Sequence, residues 1–141
     1  MTKEVAKHIV VGLIRAGLEA NQAISATLKP YDLTLQQFNV LRILRGQKGK
    51  MATLMDVQSK MIHKMSNTTR IIDRLIEKNL VDREVCADNR RKIDLCITPS
   101  GLDLLQQLDP LISSAEENFV AQFDPESRQA LTQLFHQKRI V

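Results

Sequence analysis

The sequence predicts a mainly α-helical domain with one small β-hairpin. Apolar residues recur at helical spacing along most of the chain, the period falls to two in one place only, and helix-capping pairs stand at the head of several segments. From Lys3 to Leu28, Val5, Ile9, Leu13, Ala16, Ala20, Ala23 and Thr27 make one long stripe, with no proline before Pro30. Gly12 and Gly17 weaken that helix and let another helix approach closely. Thr34 with Gln37 forms a capping box, and Leu35, Phe38, Leu41 and Leu44 carry a second helix to Gly46. Thr53 with Asp56 starts a third, through Val57 and Met61. Ser66 or Lys64 opens a fourth, which ends at Lys78.

After Asn79 the pattern alternates. Val81, Arg83 and Val85 make one strand and Ile93, Leu95 and Ile97 its partner, joined by a polar turn over Ala87 to Arg91. Thr98 and Pro99 are an N-cap and first-turn pair for a helix through Leu102, Leu105 and Leu108, with a kink or break expected at Pro110. Helical spacing resumes at Leu111, Ala115, Phe119 and Phe123, and Asp124 with Pro125 starts a last helix carrying Leu131, Leu134 and Phe135.

Helix, helix, helix, hairpin is the order of a winged helix-turn-helix. Here it forms a lobe over 33–98, flanked by long helices at 1–32 and 99–141. One lobe cannot cover both flanks, so pairing with a second copy through Ile9, Leu13, Leu111, Phe119, Leu131 and Phe135 is the simpler expectation.

Composition narrows the function. The chain has 141 residues, 43% hydrophobic and 26% charged, which suits one compact domain. No apolar run approaches the roughly 20 residues of a membrane span, and the start lacks a secretory pattern, so the expected location is the cytoplasm. Residues 1–62 hold 9 Lys/Arg against 4 Asp/Glu, residues 63–92 hold 8 against 5, and residues 93–141 hold 3 against 7. Positive charge thus lies in the first two thirds, where it can meet phosphates.

Two segments fit DNA. At 100° per residue Met65, Thr68, Thr69, Ile72 and Ile76 share one face of the fourth helix, while Asn67, Arg70 and Arg74 share the other. Arginine donates two bonds to guanine and asparagine bridges adenine, with Ser66 or Lys64 on phosphate beside the helix start. Arg74 has Glu77 as a competing intrahelical partner. In the hairpin turn, Arg90, Arg91 and Lys92 suit a minor groove or its phosphates, with Asp88 holding Arg90 or the turn in shape.

The stretches LTLQQFNVLRIL, MSNTTRIIDRLIEKNLVDRE and DNRRKIDLCITPSG together resemble the multiple-antibiotic-resistance regulator (MarR) family of bacterial transcription factors, over Leu33 to Gly101. That resemblance implies two-fold dimers on pseudo-palindromic operators, usually repressing, often released by small phenolic or lipophilic effectors. It maps base contacts onto Ser66, Asn67, Thr69 and Arg70, wing contacts onto Arg90 and Arg91, and an effector pocket onto Leu13, Gly17, Phe38 and Leu41. The chain departs from the family at MIHKM, before the fourth helix. It also lacks the reactive N-terminal cysteine of peroxide-sensing members.

Other classes find less support. His8, His63 and His136 are dispersed, and no HExxH pair, phosphate loop or nucleophile elbow is present, so neither catalysis, cofactor nor metal is expected. Cys86 and Cys96 are expected as reduced thiols: with Cys86 opposite Lys92, Cys96 lies roughly 13 Å away at about 3.3 Å per residue, beyond disulfide reach. The phase of Cys96 makes it exposed. The remaining alternative is a winged-helix protein-interaction module that no longer binds DNA, which the combination of Asn67, Arg70, Arg90 and Arg91 disfavours.

Overall fold

Local capping chemistry sets most element boundaries in the computed structural model, which describes the backbone of residues 1–62, 67–86 and 89–138 and their side chains except at 85–93. Helix α1 (Lys3–Leu28) starts at the Thr2 cap and runs into a 3₁₀ turn over Lys29–Tyr31. Helix α2 (Leu35–Gly46) opens with the reciprocal Thr34–Gln37 capping box, and α3 (Leu54–Lys60) with that of Thr53 and Asp56. Helices α4 (Thr68–Glu77), α5 (Pro99–Ala121) and α6 (Pro125–Gln137) are capped by Asn67, Thr98 and Asp124. Each cap accepts a hydrogen bond from a backbone N–H that the first turn leaves without an intrahelical partner.

The hairpin is part of a three-stranded antiparallel sheet in the order β1-β3-β2, comprising β1 (Ala52–Thr53), β2 (Val81–Cys86) and β3 (Asn89–Ile97). Strand β1 is absent from the sequence reading because two residues cannot display a period of two. It forms because Ala52 and Thr53 lie opposite Leu95 and Asp94. The expected turn over Ala87 to Arg91 is corrected as well, since β3 begins at Asn89 and its backbone includes Arg90 and Arg91. The ladder steps from Val85–Ile93 to Cys86–Asn89, leaving Arg90, Arg91 and Lys92 as a three-residue excess on β3.

Of the kink or break expected at Pro110, the break does not occur, and α5 continues through the proline. Leu105 and Leu108 before the proline and Ile112 after it are all buried, so burial on both sides offsets the hydrogen bond that proline cannot donate. Asp109, beside it, receives both guanidinium nitrogens of Arg45 on α2, at 2.8 and 3.1 Å. The core joins Leu28 of α1, Phe38, Val40, Leu41 and Leu44 of α2, Val57 of α3, Ile72 and Leu75 of α4, and Val81, Leu95 and Ile97 of the sheet to the α5 leucines.

The flanks are different. Along α1 the predicted stripe divides: Ala16, Ala20, Ala23 and Thr27 are half-buried, whereas Val5, Ile9 and Leu13 are exposed. Helix α6 contributes no buried residue, and Leu102 and Leu111 of α5 are also exposed. No helix among the described residues is long and apolar enough to cross a membrane.

Candidate nucleic-acid interface

Helix α4 is held from behind and open in front. Thr68, Ile72 and Leu75 are buried at i, i+4 and i+7, and the helix packs on α2, α3 and β2. The Thr68 hydroxyl donates to the Met61 sulfur at 3.6 Å. On the outer side Asn67, Thr69, Arg70 and Arg74 are exposed. Arg83 of β2 approaches Asp73 at 3.7 Å, linking the wing to this helix.

Two sequence expectations change here. The helix is opened by Asn67, not by Ser66 or Lys64, and its side-chain oxygen accepts from the Arg70 N–H at 3.4 Å. Asparagine is among the best N-caps, which is why the boundary falls there. An amide oxygen has two lone pairs and its NH₂ two donors, so capping leaves capacity for a base contact while fixing the amide at the helix start. Thr69, expected on the apolar face with Thr68, is exposed. Leu75 is buried while Ile76 is only half-buried, so the inward face centres on Thr68, Ile72 and Leu75, and Thr69 turns about 100° away from it.

Arg74 lies 3.5 Å from Glu77, an exposed pair whose contribution to stability is small. Asn67, Arg70 and Arg74 line one side of an open cleft of 340 Å³ whose other side is Gln36 and Gln37 of α2. Lys64, Ser66, His63, Met65 and Asp88 lie outside the described residues, as do the side chains of Arg90, Arg91 and Cys86.

The four residues mapped to an effector pocket are not brought together. Phe38 and Leu41 are core residues, while Leu13 and Gly17 are exposed on α1. A cleft of 590 Å³ instead opens where α1 meets α2, lined by Asn21, Ser25, Lys29, Asp32, Gln37 and Lys78 among others, and by none of those four. The sequence carried a usable signal for it: Asp32, between Pro30 and a capped helix, takes the left-handed conformation at φ 51° and turns the chain.

Cys96 is half-buried rather than exposed, lies opposite Asp82, and donates weakly to the Ile97 carbonyl at 3.5 Å. Cys86 pairs with Asn89, not Lys92, because β3 starts early, and the two cysteines remain four residues apart along the ladder. Among the described residues no three His, Cys, Asp or Glu side chains are grouped as a metal site.

A helix-turn-helix followed by a hairpin and flanked by long helices defines a winged-helix fold. Residues 33–93 match the model of the MarR family. Over 106 residues the chain is 29% identical to YdgG, an uncharacterised HTH-type transcriptional regulator of Bacillus subtilis (strain 168), covering 73% of this chain and 68% of that protein. Its fold is similar to that of BpsR from Bordetella bronchiseptica, whose DNA binding is regulated by 6-hydroxynicotinic acid. The TM-score is 0.83, with 24% identity and coverage of 94% of this chain and 98% of that one. A MarR transcription factor from Planctomyces limnophilus matches with a TM-score of 0.76 and 23% identity over 96% of each chain. Over residues 33–93, then, the chain is similar to the MarR family of transcriptional regulators.

Proposed function

We propose that the protein is a cytoplasmic, homodimeric repressor that binds a pseudo-palindromic operator and releases it on binding a small phenolic or lipophilic effector. The reading divides the chain into a DNA-binding lobe at 33–98 and dimerisation helices at 1–32 and 99–141. The observation that carries it is the orientation of α4, with Thr68, Ile72 and Leu75 inside and Asn67, Thr69, Arg70 and Arg74 outside. Such a helix enters a major groove with its N-terminal residues toward base edges. The Arg90 and Arg91 excess on β3 supports a flanking contact to phosphates, joined by Lys64 and Ser66 before α4, with Asp88 shaping the wing. The effector reading attaches to the 590 Å³ cleft. Regulation of the Bordetella bronchiseptica relative by 6-hydroxynicotinic acid supports it.

The test uses a duplex selected by the protein from a randomised pool, compared with a random duplex across a salt titration. Arg70→Ala loses roughly 1–3 kcal/mol on the selected duplex and relaxes preference at one base position per half-site. Arg91→Ala weakens both duplexes evenly and makes the logarithmic salt slope shallower by about one unit per phosphate contact, doubled in a dimer. Parent-like binding by both variants at every salt concentration defeats the proposal, and failure of the parent to select any sequence favours the protein-interaction module.

A further inference from the structure

Helix α4 ends in a tightly bonded turn. The Asn79 N–H donates to Ile76 O at 2.9 Å and the Leu80 N–H to Leu75 O at 3.0 Å, with Asn79 left-handed at φ 59°. This fixes the backbone at Lys78 and directs its side chain across to the bend between α1 and α2. There the ammonium group, with three donors, meets three acceptors: the Asp32 carbonyl, the Asp32 carboxylate at 3.3 Å and Gln37 Oε1 at 3.4 Å. Gln37 Oε1 also accepts from the Thr34 N–H at 3.1 Å, so Lys78 is bonded to the capping box that starts α2.

We infer that Lys78 is a positioning residue for operator reading: by tying the C-terminal end of α4 to the α1–α2 bend, it sets the angle at which Asn67 and Arg70 meet the groove. This rests on the operator-reading proposal above. The ten residues of α4 span about 15 Å at 1.5 Å per residue, so a tilt of about 5° at one end moves the other by roughly 1.3 Å. That displacement is large against the geometry a bidentate base contact tolerates. The Asp32 carboxylate is 97% exposed and Lys78 only 28%, so the carboxylate limb is screened and the Asp32 carbonyl and Gln37 carry the tie.

The experiment compares Lys78→Met, which keeps the aliphatic stem, with Lys78→Arg and Asp32→Asn, using the duplex selected by the parent protein and a random duplex. Selection by the parent establishes operator reading independently of the variants. Lys78→Met lowers the selected-to-random affinity ratio roughly tenfold, about the discrimination of one base pair. Its salt slope stays that of the parent, whereas Lys78→Arg and Asp32→Asn hold the ratio within about twofold. Three results overturn the inference: an unchanged ratio in Lys78→Met, a slope shallower by about two units in the dimer, which marks Lys78 as a phosphate contact, or equal weakening on both duplexes in step with a lowered Tm. Should Lys78→Met fail to fold, Lys78→Gln, too short to span the same gap, is read by the same criteria.

Discussion

Asp124 closes the start of α6 with both oxygens, one accepting the Ser127 N–H and the other the Ser127 hydroxyl, each at 2.8 Å. The backbone bond and then the hydroxyl bond hold its carboxyl below the ordinary value of 3.8. A depressed carboxyl stabilises the fold above its unfolded value, and that contribution is lost as the pH falls through the folded one. The Ser127 amide resonance is therefore expected to titrate with a midpoint below 3.8, and Asp124→Ala to abolish the transition. A midpoint at or above that value removes the cap as its cause. At this scale the sequence showed what depends on near neighbours. Arg70 and Arg74 fell on the outer face of α4 because helical geometry alone puts them there. Thr69 was misplaced because the predicted stripe left out Leu75, whose burial turns the inward face away from Thr69, and the cap was misplaced because Ser66 is as good an N-cap as Asn67.

Gly101 shows how one element constrains another. It lies in the first turn of α5, where an added Cβ would come within 2.5 Å of the Leu80 carbonyl oxygen and 2.7 Å of Ile97 Cγ1. The Leu80 carbonyl is a fixed obstacle, since it already accepts from the Thr98 N–H at 3.1 Å. Gly101→Ala should gain about 1 kcal/mol of helix propensity. Against that stands overpacking of roughly 1–3 kcal/mol, reinforced by an obstacle that is backbone. A net loss in urea unfolding is expected, with a lower midpoint at unchanged slope, and a variant as stable as the parent would mean that α5 and the wing base shift apart freely. The elements that were legible share this local character: Thr34 with Gln37, Thr53 with Asp56, Thr98 with Pro99 and Asp124 with Pro125 each announce a helix within four residues. What was not legible depends on distant partners. Strand β1 exists through Leu95 and Asp94, some forty residues on, and Pro110 stays helical because Leu105, Leu108 and Ile112 are buried around it. The effector positions Leu13, Gly17, Phe38 and Leu41 came from the family resemblance, and within one chain Phe38 and Leu41 lie in the core while Leu13 and Gly17 lie exposed on α1.

For the whole molecule the unsatisfied surface decides. Val5 at 48% exposed, Ile9 at 51%, Leu13 at 47% and Ile14 at 59% lie on the first half of α1, while Leu134 is exposed on α6, which buries nothing of its own. A half-exposed Ile or Leu still has roughly 1 kcal/mol to gain from burial, and two-fold symmetry counts every such residue twice. The proposed dimer thus has its driving force in the two helices that the lobe leaves uncovered. Because Ile9 and Leu13 lie outside the core of their own chain, Ile9→Asp with Leu13→Asp is expected to separate the protomers without unfolding them. Sedimentation should find the parent as a dimer at micromolar concentration and the double variant as a monomer, with helical circular dichroism retained. On a two-half-site duplex the variant's affinity should then fall to what it shows for a single half-site, because linkage between two recognition helices is lost while each helix keeps its own contacts. A folded parent that sediments as a monomer and still binds the two-half-site duplex with full affinity would end the dimer reading and leave the exposed face of α1 to some other partner.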